Sequence, residues 1–119
     1  MSTKSTGDPA VDALYAPRRG RVEFVDVPEL GFLMIDGAGA PGDDVFTGAI
    51  QALYSVSYGA HFGVREAGRA APKVMPLEAL WWVVGPDAQE TVEGFASGAV
   101  SLADADRSRW RWCAMIAQL

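Results

Sequence analysis

At 119 residues the chain has the size of one domain, long enough to bury about two-thirds of its unfolded surface but too short for two comfortable cores. Half of the residues are apolar and 21% are charged, which argues against long-range disorder, and fifteen acidic against ten basic side chains (net charge −5) disfavour sequence-independent binding to a phosphate backbone. One cysteine, Cys113, excludes an internal disulfide framework, and one histidine, His61, leaves too few ligands for a zinc site, so no metal or organic cofactor is implied.

No segment approaches the roughly 18 consecutive apolar residues of a membrane span. The first nine residues lack the apolar core of a secretory signal, so the expected location is the cytoplasm. Residues 1–20 read as a flexible lead-in, with room for one helical turn over 10–15 before Pro17 stops it. Arg18, Arg19 and Arg21 then form a short basic cluster, read as a solvated approach to a strand. Residues 22–27 are rich in β-branched side chains and alternate, which predicts a strand. Pro28 and Gly31 punctuate it as a bulge or bend, and a buried strand continues over 32–35.

A glycine-rich turn over 36–42 leads into a predicted helix that starts at Asp43 or Asp44 and ends between Gly63 and Ala67. Either aspartate can cap the first turn, where free amide hydrogens favour a carboxylate. Phe46, Ala49, Ile50, Leu53, Val56 and Ala60 recur every three or four residues as one apolar stripe. A strand interrupted by Pro76 is predicted over 73–84. Residues 87–106 are small and acidic, open between a long loop and a short helix near 90–95, and a final strand covers 109–116. The order strand–helix–strand–strand predicts an α+β fold, a βαββ unit over 21–119 whose antiparallel sheet is covered by one main helix. Adjacent Trp81 and Trp82 must point to opposite faces of that sheet, so at least one of them faces away from the helix.

Gly37, Gly39 and Gly42 have the spacing of a dinucleotide-binding turn, but Asp43 and Asp44 would face a pyrophosphate with two negative charges. The turn is therefore read as structural. Tyr54, Tyr58 and His61 share one helix flank, read either as edge packing or as a hydrogen-bonding wall beside an apolar cavity. Four tryptophans in the two later strands fit an interface or an aromatic-walled pocket. Glu78, inside an apolar run, is costly unless solvated, paired or used. In an aromatic cavity it would hold a cation or act as general acid or base. No partner pattern for a serine or cysteine triad is present.

Residues 25–41 (VDVPELGFLMIDGAGAP), 49–58 (AIQALYSVSY), 75–82 (MPLEALWW) and 110–116 (WRWCAMI) together resemble the GyrI-like small-molecule-binding domain, and more narrowly its stand-alone bacterial branch. The resemblance implies two βαββ repeats related by a pseudo-twofold axis, with a ligand cavity between them. Relatives bind lipophilic cations against aromatic walls and a buried glutamate. Others are similar to hydrolases that open the cyclopropane of DNA-alkylating natural products. By matching motif positions, Tyr54, Tyr58, Glu78, Trp82 and Trp112 are the expected ligand-binding residues, with Glu78 and Tyr58 catalytic if the chain turns substrate over. The chain supplies one such repeat, so the resemblance implies either a missing second repeat or a homodimer that rebuilds the cavity. The leading expectation is a binding module for hydrophobic, aromatic or cationic small molecules, with no direct contact to nucleic acid or membrane. A cyclopropane hydrolase is the second reading, and a half-domain whose tryptophans only make an interface is the third.

Overall fold

Strand β1 (Gly31–Ala38) runs antiparallel to β3 (Trp110–Gln118), which also pairs antiparallel with β2 (Leu77–Val83), so the last strand in sequence is the central one of an α+β fold. The computed structural model of the chain describes residues 5–40, 42–99 and 106–119. Residues 1–4, Pro41 of the glycine turn and residues 100–105 of the acidic connection lie outside the described residues. Helix α1 (Pro9–Leu14) precedes the sheet, α2 (Asp44–Glu66) links β1 to β2, and α3 (Ala88–Ser97) lies between β2 and β3.

The register fixes the two faces. Trp112 stands between Gly37 and Trp81, Ala114 between Ile35 and Ala79, and Ile116 between Leu33 and Leu77. These residues form the helix face, where Trp112, Ala114 and Ile116 cluster with Ala49 and Leu53 of α2. Phe46 packs on Trp81 and Trp112 with ring centroids 4.7 and 5.0 Å apart. Helix α3 shares that face, its Phe95 stacked on Trp110 at 5.4 Å. The connection over 87–106 therefore contains the helix that composition left open. It ends at Gly98, whose positive φ suits glycine.

Helix α2 has the expected limits, but its buried face turns further than the stripe predicted. Val56 is exposed, whereas Ser57, one α-helical turn beyond Leu53, is buried with its hydroxyl accepting from Gln118 Nε2 at 3.2 Å. Asp43 occupies the N-cap position without capping the first turn. Its carboxylate reaches back to accept from the Ala40 amide at 2.9 Å, closing the glycine turn instead.

Two further expectations change. The predicted strand over 22–27 is unpaired among the described residues, and Val22 and Phe24 stand fully exposed at 101% and 106%. The register gives the reason: Gly31 already pairs with Gln118, so the arm runs past the last paired residue of β3. Second, part of the lead-in folds. Asp8 caps α1 by accepting from the Ala10 amide at 2.9 Å, Pro9 sits in its first turn, and Val11 is buried in the core. The final strand runs two residues past its predicted end and is paired with β1 through Gln118.

Candidate functional site

The face of the sheet opposite α2 is only partly covered. Three cross-strand rows compose it: Glu78, Met115 and Met34; Leu80, Cys113 and Asp36; Trp82, Arg111 and Ala38. Met34, Leu80 and Trp82 are exposed large apolar side chains, Trp82 at 42%. Glu78 and Trp82 are four residues apart on one strand, hence about 13 Å apart along it, with Leu80 between them. That span matches a flat molecule of a few fused rings.

Helix α1 closes one end of this face. The Tyr15 hydroxyl donates to Glu78 Oε2 at 2.7 Å, across 63 positions of sequence. Burial and the neighbouring carboxylate push the Tyr15 phenol up to about 12, so it stays protonated and continues to donate at neutral pH. Glu78 is thus a positioned acceptor, half-buried, with its second oxygen free of any bond to Tyr15. Sequence reading did not single out Tyr15. The signal was an Asp-Pro helix start, with Val11 and Tyr15 four residues apart on one face before Pro17.

In the centre of the face Cys113 is buried between Leu80 and Asp36, its cross-strand neighbours. Burial pushes its thiol up, and the Asp36 carboxylate beside it adds to the shift, so it is a poor nucleophile. Arg111, level with Trp82, turns its guanidinium to the carbonyls of Ser108 and Trp110 at 2.8 and 2.9 Å. Among the described residues no group of histidine, cysteine or carboxylate side chains is placed to hold a metal ion.

The remaining expected site residues lie on the helix side. Trp112 is 1% exposed beneath Phe46, and its indole N–H has no acceptor among the described residues. Its neighbours make it a core side chain, not a wall of an open cavity. Tyr54 is half-buried, its hydroxyl accepting from the Leu77 amide at 3.2 Å, which ties α2 to the start of β2. Tyr58 stacks between Tyr54 and Phe62 at 6.2 and 6.3 Å and is exposed on the outer flank of α2. His61 places Nδ1 2.7 Å from the Pro72 carbonyl, which can only accept, so that nitrogen carries the proton. It lines a cleft of about 100 Å³ with Ser57 and Gln118, too small for an aromatic ligand. Glu78 and Trp82 are therefore brought together, whereas the tyrosines and Trp112 are separated from them by the sheet.

No protein-family model matches the chain, and no curated protein matches it. Among solved structures it is similar to an uncharacterized conserved protein from Listeria innocua, with a TM-score of 0.66 and 32% identity. The match covers 89% of this chain and 46% of that one, so the chain spans about half the length of the protein it resembles. No helix among the described residues is long and apolar enough to cross a membrane.

Proposed function

We propose that the chain is a GyrI-like binding module for hydrophobic, aromatic or cationic small molecules, and that its ligand lies on the open face of the sheet. One observation carries this reading: Trp82 and Leu80 are exposed beside Glu78, a carboxylate held in place by Tyr15. Trp82 offers a stacking surface, Leu80 an apolar floor, and Glu78 a charge preference for cations. The tyrosine flank of α2 belongs to the opposite side and takes no part in this subsite. A flat sheet face buries only one side of a ligand, whereas binding pockets enclose most of theirs. A second wall from another βαββ unit meets that need, and the half-length match to the Listeria protein supports it.

The test is titration of tryptophan emission with a lipophilic cation and with its neutral isostere. Saturable quenching by both is expected, with the cation bound more tightly. Glu78→Gln should abolish the preference and leave the neutral compound bound, while Trp82→Ala should weaken both by about tenfold or more. Equal affinity of Glu78→Gln and wild type for the cation would remove Glu78 from the site. The hydrolytic reading also has a specific support, because adding water across a cyclopropane bond is served by a carboxylate that directs the water and a tyrosine hydroxyl that polarises the substrate carbonyl. Glu78 and Tyr15 form such a pair, with Tyr15 in the place that Tyr58 was expected to fill. Product formation from a cyclopropane-bearing substrate, lost in Glu78→Gln, would establish it.

A further inference from the structure

The arm over residues 22–27 is the least satisfied part of the molecule. It is rich in β-branched and aromatic side chains, it makes no strand pairs among the described residues, and Val22, Phe24, Val25 and Val27 are all exposed. A segment with this composition normally sits in a sheet, and left alone it presents open backbone donors and acceptors. At the opposite edge of the sheet, β2 pairs only with β3 among the described residues, so its outer edge is also open. The arm precedes β1, and β3 lies between β1 and β2, so within its own chain the arm is separated from the β2 edge by two strands. The two edges complement each other only between chains.

Charge sets the direction. Arg18, Arg19 and Arg21 immediately precede the arm, all exposed. Immediately after β2 comes an acidic crevice of about 390 Å³ lined by Pro86, Asp87, Gln89, Glu90 and Glu93. Asp87 is already paired with Arg109, but Glu90 and Glu93 are exposed carboxylates in no ion pair among the described residues, Glu93 accepting only from Gln89 Nε2. Antiparallel pairing of an arm with β2 brings the start of the arm to the end of β2, and so the three arginines to the acidic crevice. Parallel pairing would leave them at the far end. The arm of six residues and β2 of seven are matched in length, about 20 and 23 Å.

We infer that a second copy of this chain is the partner: the arm of each protomer adds antiparallel to the β2 edge of the other, closed by a two-fold axis. Reciprocal exchange pairs both arms and both β2 edges in one symmetric contact that closes on two copies. The inference stands on the arm, the edge and the charges, and it does not depend on what the open face binds.

Light scattering of the chain over a wide concentration range should show a monomer–dimer equilibrium. Val25→Pro removes one ladder donor and introduces a residue that sheet interiors reject. Because the arm makes no strand pairs with the described residues of its own chain, the monomer should keep its thermal midpoint while the dimer is lost. Arg18→Glu with Arg19→Glu should weaken the dimer by about tenfold. Glu90→Arg with Glu93→Arg should do the same, and mixing the two variants, or combining all four changes, should restore it. A monomer at every concentration, a dimer indifferent to Val25→Pro, charge reversal without rescue, or assembly that grows beyond two would each overturn the inference.

Discussion

At Gly37 strand β1 passes directly under the Trp112 indole, and a Cβ there would fall inside the ring. The backbone at Gly37 is ordinary extended strand, so what the position requires is the absence of a side chain, not a special conformation. Gly39, two residues on, does have a positive φ, 120°, and lets the chain turn so that Asp43 can reach the Ala40 amide. The first two glycines of the apparent nucleotide motif thus serve ring packing and a tight turn. Gly37→Ala should destabilise the fold by about 1–3 kcal/mol through overpacking, read as a lower urea midpoint at unchanged slope. If the midpoint does not move, the indole has room that this packing denies it.

Helix α1 is only six residues long and would not form in isolation. It is held at three points: Val11 in the core, Tyr15 on Glu78, and Asp12, which accepts from Ser5 Oγ at 2.6 Å and the Thr6 amide at 2.8 Å. Two of these titrate. The Tyr15 phenol is raised to about 12 by burial and then by Glu78, so its contribution is complete below the unfolded value of 10 and is lost as pH climbs from 10 to 12. The Ser5 and Thr6 hydrogen bonds hold the Asp12 carboxyl below the usual 3.8, so its contribution is complete above that value and lost as pH falls beneath it. Tyr15→Phe should cost about 1 kcal/mol at neutral pH, and its deficit against wild type should close between pH 10 and 12. A deficit that persists unchanged at pH 12 would mean the hydroxyl is not the contact that matters. The same helix shows how far sequence reaches. A single turn over 10–15 was legible from its stop at Pro17, because stops are local, and the Asp8–Pro9 start is a local signal of the same kind. Its docking on Glu78 was not, because a contact across 63 positions leaves no local trace. Helix α2 was legible from end to end for the same reason, while Ser57 in place of Val56 depended on the angle at which the helix meets the sheet.

Across the whole molecule, pairing explains why the candidate site residues divided. Strand periodicity showed that Trp81 and Trp82 point apart. It could not show that β3 enters between β1 and β2, which decides that Trp112 is roofed by α2 and Trp82 is left bare. The arm is the converse case. Composition predicts a strand over residues 22–27, and among the described residues they pair with none. A strand ladder on both sides and burial on both faces make β3 the last element to open, so its amides should exchange with deuterium only through global unfolding. The amides over 22–27 should exchange within the shortest labelling time in dilute protein. As concentration rises through the dimerisation range they should slow in step with the outward-facing amides of β2, while β1 stays unchanged. Arm protection that appears without β2 protection would place the partner on another edge, and protection in dilute protein would return the arm to its own sheet.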